Sequence, residues 1–148
     1  MKKLKVYLDN CCFNRPYDNQ VQPKIALETR AKLFIQDLIA NGEVDLTWSY
    51  MMELENSDNP FPYKRLAIGE WKDLSIENIK ENEEIIIHAE EIANTGIKPK
   101  DSLHLACAMY AKCDYIITVD TRMTKYPTTK IIVANPLRFF EEWSGKND

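Results

Sequence analysis

The sequence predicts an α/β fold, a three-layer α/β/α sandwich around a central, mainly parallel sheet. Three observations carry this. Short β-branched or aromatic runs alternate with segments whose apolar residues recur at helical spacing. Tyr115-Ile116-Ile117-Thr118-Val119 is a near-continuous apolar run, the pattern of a parallel strand buried on both faces. Two strand runs, Val6-Tyr7-Leu8 and Ile117-Thr118-Val119, close directly on an aspartate, Asp9 and Asp120.

Taken in order, Lys5 to Leu8 reads as the first strand, ending at Asp9. Asn10 to Pro23, with two prolines, three asparagines and an aspartate, reads as a loop with at most one helical turn. From Lys24 to Ala40, Leu27, Ala31, Phe34, Ile35 and Leu38 mark a helix that Asn41-Gly42 stops. Val44 to Trp48 is a second strand, and Ser49 is placed to cap a helix running to about Glu55. After Pro60 and Pro62, Tyr63 to Trp71 is helical again, and Leu74 to Ile76 reads as a brief extended piece. Asn78 is then expected to cap a helix through Ala93, ended by Gly96. Pro99 opens the helix Lys100 to Lys112 as a first-turn proline. Tyr115 to Val119 and Lys130 to Ala134 are the last strands, and Asn135-Pro136 starts a final helix through Trp143.

The chain has 148 residues, 45% of them hydrophobic, only four glycines and no low-complexity tract, which fits one domain over residues 1–148. No apolar run reaches membrane-spanning length, and the first apolar stretch is too short for a signal peptide. A cytoplasmic, unprocessed protein is the expectation. Cys11 and Cys12 are adjacent, while Cys107 and Cys113 lie in or beside a helical pattern. Such cysteines read as small buried hydrophobes rather than a disulfide framework. The absence of a C-x-x-C and the presence of only two histidines argue against a zinc site of ordinary spacing. The net charge of −4 speaks against nonspecific gripping of long duplex DNA, yet permits a cluster of carboxylates held together for a purpose.

Sites in open α/β sheets form outside the carboxyl ends of the strands, where the strand order switches. That rule brings Asp9 and Asp120 to one rim. Asp101 lies in the first turn of the Pro99 helix, favoured there by the helix dipole. The Ser49 helix offers Glu53 or Glu55. Two positions apart, they are separated by about 200° around the axis, so at most one faces the rim. Each acid alone also serves as a cap, a turn former or a solvated helix residue. Together they make an oxygen-only environment, suited to hard cations such as Mg²⁺ or Mn²⁺ and to metal-assisted phosphodiester hydrolysis.

Four stretches then resemble the PIN domain family, which includes VapC-like toxin ribonucleases: Val6 to Asn10, Ser49 to Glu55, Lys100-Asp101-Ser102-Leu103-His104-Leu105-Ala106, and Ile116 to Asp120. The resemblance covers nearly the whole chain. It implies Mg²⁺- or Mn²⁺-dependent cleavage of RNA, with Asp9, Glu55, Asp101 and Asp120 as metal ligands and catalytic acids. Counting from Ser49 selects Glu55, with Glu53 as the fallback. Ser49, Thr118 and Asn10 would be supporting groups, Asn10 standing where relatives often carry a hydroxyl. By family habit an antitoxin partner and a homodimer are also open to it. The Cys-Cys-Phe-Asn-Arg-Pro stretch looks like one branch of PIN-like proteins rather than the typical toxin. His104 reads first as a packed helix residue and only second as a hydrogen-bond partner of the acids. Arg15, Lys98, Lys100, Arg122 and Lys125 flank the acidic positions and are candidates for RNA contact. The competing readings are a non-catalytic PIN-like RNA-binding or regulatory module and a thiol enzyme using Cys11 or Cys12. An aspartyl-nucleophile phosphatase is disfavoured, because position 11 is Cys where such sites want Asp.

Overall fold

Why the strands gather around β1 follows from burial. Val6, Tyr7 and Leu8 are each at most 1% exposed, so β1 (Lys5–Leu8) needs a neighbour on both edges and cover on both faces. A computed structural model, which describes residues 3–147, supplies all of these. β1 pairs in parallel with β2 (Asp45–Ser49) on one side and β4 (Tyr115–Ile117) on the other. β3 (Glu77–Ile79) extends the sheet beyond β2 and β5 (Ile132–Ala134) beyond β4, giving the order β3-β2-β1-β4-β5. The sheet is parallel throughout. Helices flank it in the expected α/β/α sandwich. α2 (Pro23–Ala40) packs with α8 (Pro136–Asn147), and α5 (Glu83–Ala93) with α6 (Pro99–Tyr110). Among the described residues no helix is long and apolar enough to cross a membrane.

The helix starts obey local chemistry. Pro23, Pro62 and Pro99 stand in the first turns of α2, α4 (Pro62–Leu74) and α6, where the missing N–H is no loss. Ser49 Oγ accepts from Met52 N to cap α3 (Tyr50–Ser57). Three expectations are corrected. Asn78 lies within β3, and the cap of α5 is Asn82, whose side chain accepts from Ile85 N at 3.0 Å. The extended piece falls at Glu77–Ile79 rather than Leu74 to Ile76, because pairing with β2 fixes this short edge strand and its own composition does not. The loop after Asp9 is more ordered than its prolines suggest. It forms α1 (Asn10–Asn14) and a 3-10 turn at Arg15–Tyr17, anchored by the buried Phe13 ring edge-on to Trp48 at 5.8 Å.

The chain runs β1, β2, β3 towards one edge and returns to add β4 and β5 on the other. The switch point therefore lies between β1 and β4, and Asp9 and Asp120 follow the carboxyl ends of those two strands.

Candidate active site

Asp9 is only 5% exposed and stands at the N-cap position of α1, yet its side chain makes no capping bond. Oδ2 instead accepts from Thr118 Oγ1 at 2.9 Å, with Cys11 Sγ at 3.4 Å. Thr118 Oγ1 also accepts from Asp120 N at 3.1 Å, so one buried hydroxyl fixes the first and last acids of the set. Asp120 caps α7 (Thr121–Thr124) by accepting from Arg122 N through Oδ1.

Glu55, on α3, reaches the same place through His104, whose Nε2 is hydrogen-bonded to Glu55 Oε1 and lies 3.6 Å from Asp9 Oδ1. Ligand atoms of Asp9, Glu55 and His104 all lie within 4.8 Å of one another. Glu53 points elsewhere. It accepts from Trp48 Nε1, pairs with Lys72 and lines a separate groove of about 820 Å³ with Leu54, Ile86 and Leu103. The helical offset thus separates the two glutamates, and it is Glu55 that meets the rim.

His104 is fully buried, and burial alone would lower its pKa; the charges of Asp9, Glu55 and Asp101 with the Glu55 hydrogen bond outweigh it and raise the pKa. Its Nδ1 meets Tyr7 Oη at 2.5 Å, and Tyr7 Oη meets Ser49 Oγ at 2.6 Å. A protonated His104 orders this chain: Nδ1–H donates to the Tyr7 oxygen, and the Tyr7 O–H donates to Ser49. For Glu55, partial burial favours the neutral form, but the His104 hydrogen bond and the charges of His104 and Lys100 pull its pKa down. Asp101 goes the other way. Burial first, then the charges of Asp9 and Asp120, push it up to about 6.

Asp9, Glu55, Asp101 and Asp120 are therefore brought to one rim, with Ser49 and Thr118 behind them. Asn10 Oδ1 is buried and has no hydrogen-bond partner among the described residues. Asn10 lines a groove of about 420 Å³ together with Glu55 and Lys100. An unpaired acceptor beside Glu55, with Asp101 close enough to Asp9 and Asp120 for their charges to raise its pKa, is a donor set that fits a hard divalent cation. Among the candidate cations, Lys100 bears on Glu55, whereas Lys98, Arg122 and Lys125 are exposed. The Arg15 guanidinium is bonded to the buried Glu28 and to Asp18, which ties the 3-10 turn to α2. The sequence reading placed His104 first among packing residues and passed over Tyr7. The signal for His104 was its position one turn after Asp101; nothing in Val-Tyr-Leu marked the Tyr7 hydroxyl.

The family model of the PIN domain matches residues 6–128. The chain belongs to the PIN domain family. Members of the family are generally nucleases that use divalent metals. No curated protein matches the chain significantly. Among solved structures it is similar to a chain of VapBC2 from Rickettsia felis, bound to a DNA fragment from their promoter, at 14% identity and a TM-score of 0.55. That likeness covers 89% of this chain and 98% of the other, and at such identity it is a likeness of fold.

Proposed function

We propose that this PIN domain is a metal-dependent endoribonuclease that hydrolyses RNA phosphodiester bonds. The observation that carries the reading is the withheld carboxylate: Asp9 is buried at a helix start, does not cap it, and faces Glu55, Asp101 and Asp120. A cation of the Mg²⁺ or Mn²⁺ class would be held by those four acids and, when bound, supplies polarisation of the phosphodiester and activation of water. The chain's own residues do the rest. Thr118 fixes Asp9 and the backbone of Asp120, while the His104 hydrogen bond draws the pKa of Glu55 down and aims it at the rim. Lys100, beside Glu55 on the groove wall, is placed to meet a phosphate.

The neighbour's complex and the family support a toxin role with an antitoxin partner; a cytoplasmic location and a homodimer are carried as part of the same proposal. The test is RNA cleavage with and without Mn²⁺. Asp9→Asn is expected to abolish Mn²⁺-dependent cleavage while the fold stays intact by circular dichroism, and equal activity in the variant overturns the reading. One observation favours a second reading, a non-catalytic RNA-binding or regulatory module: Glu55 is already committed to His104. Calorimetric titration with Mn²⁺ separates the two, since the module should show no carboxylate-dependent binding.

A further inference from the structure

Beside the acidic rim the chain exposes three aromatic rings that its core does not use. Tyr17 is 41% exposed, Phe61 48% and Tyr63 61%. They form one cluster, with ring centroids 6.2 Å apart for Tyr17–Tyr63 and 6.1 Å for Phe61–Tyr63. Lys64 Nζ lies 4.4 Å from the Phe61 centroid and 4.8 Å from that of Tyr17, and among the described residues it forms no ion pair. Phe61 and Lys64 line the same groove as Asn10, Glu55 and Lys100, so the rings are continuous with the proposed cleavage site.

We propose that this cluster is a stacking platform for unpaired bases of a single-stranded RNA, beside the carboxylates. The inference rests on the ribonuclease reading above for its substrate, but the platform binds whether or not cleavage follows. The chemistry favours nucleic acid bases over a phosphate grip. The chain carries a net charge of −4, and the groove itself includes Glu55 and Asp58, so phosphate neutralisation is limited to lysines such as Lys64 and Lys100. Exposed rings compensate, because every base presents a face that stacks on an aromatic side chain. A duplex hides those faces. The platform therefore selects single strands at the point of cleavage.

The experiment measures binding of a short fluorescein-labelled RNA of mixed sequence, and of the same RNA annealed to its complement, in EDTA so that no cleavage occurs. Phe61→Ala and Tyr63→Ala are each expected to weaken single-strand binding by about tenfold, within the range for loss of one base–aromatic stack. Phe61→Trp should restore it, and duplex binding should be unchanged. Log affinity against log salt for wild type should have a slope of about −1.4, the single-strand value for two neutralised phosphates. A single-strand RNA carrying 2-aminopurine should lose fluorescence on binding wild type, a readout that needs no variant. Unaltered single-strand affinity in both alanine variants, an equal loss for duplex, a steeper salt slope or unquenched 2-aminopurine each overturns the platform. If the alanine variants bind RNA normally but lose a co-purifying protein, the cluster belongs to a protein partner and the proposal falls. Cleavage assayed separately with Mn²⁺ keeps the two readings apart. Aromatic-dependent binding without cleavage removes the nuclease and leaves the platform; cleavage by wild type and both alanine variants alike does the reverse.

Discussion

Asp9 and Thr118, 109 residues apart in the chain, share a hydrogen bond of 2.9 Å that takes the Asp9 carboxylate away from the helix it precedes. An aspartate after a strand ordinarily accepts from the second or third N–H of the following helix. Here the backbone of Asp9 does the local work, its carbonyl accepting from Cys12 N and its N–H donating to Ile117 O. The side chain is left for the rim.

Thr118→Val tests this directly. It is nearly isosteric, but it removes the donor to Asp9 and the acceptor for Asp120 N, both in a buried setting. A stability loss of about 1–3 kcal/mol is expected from the unsatisfied groups. Activity or metal affinity should drop by about 10–100-fold, the usual effect of removing a group that orients a ligand. Thr118→Ser should recover most of both. Chemical denaturation and Mn²⁺ titration read the two effects separately.

His104→Ala removes the buried imidazole from between two carboxylates and leaves the Tyr7 hydroxyl without its ring partner. The expected loss of stability is about 3 kcal/mol, as for breaking a buried ion pair. The sign with pH follows from the raised pKa. The folded state holds the proton more tightly than the unfolded one, so the stabilisation is fully present below the ordinary value of 6.5 and is lost as pH rises through the folded value. The gap between wild type and His104→Ala in urea melts should narrow towards alkaline pH.

How much of this was legible in the sequence depends on which interactions fixed it. Val6-Tyr7-Leu8-Asp9 and Ile116-Ile117 announced the central strands and the switch-point acids, because burial on both faces leaves a continuous apolar run. Glu55 over Glu53 needed a count from Ser49, since helix geometry says only that the two diverge. β3, with Asn78 inside it, was misplaced because an edge strand with one buried residue has no pattern of its own. The place of Tyr7 in the Tyr7–His104–Glu55 chain was invisible for a different reason. Its members come from β1, α6 and α3, and only the packed sheet brings them together.

Asp101 supplies a stability test with the opposite sign. Its carboxyl, pushed from 3.8 to about 6 by burial and by Asp9 and Asp120, is protonated more readily in the folded chain than in the unfolded one. Its ionisation therefore costs stability, and that cost grows as pH rises from about 4 to about 6 and stays constant above it. Asp101→Asn removes the cost. Because the group is only partly buried, solvent screening reduces the gain at neutral pH to about 1 kcal/mol. The variant should melt higher than wild type at pH 7, bind Mn²⁺ more weakly and cleave poorly. Equal melting temperatures from pH 4 to pH 8 would show that Asp101 does not feel the other acids.

Cys11 touches both Asp9 and Thr118, so the thiol-enzyme reading meets its test at this residue. A cysteine nucleophile acts as the thiolate, which needs an electropositive setting. Cys11 has the reverse: its contact with Cys12, burial and the Asp9 charge all hold its pKa well above the ordinary range, with only the Thr118 contact acting the other way. The thiol stays protonated at neutral pH and fills the turn between β1 and α1. Cys11→Ala should retain Mn²⁺-dependent cleavage comparable to wild type, and iodoacetamide should alkylate native Cys11 more slowly than an exposed cysteine. Cleavage that disappears with Cys11→Ala while the fold and Mn²⁺ binding persist would move the chemistry from the carboxylate to the sulfur.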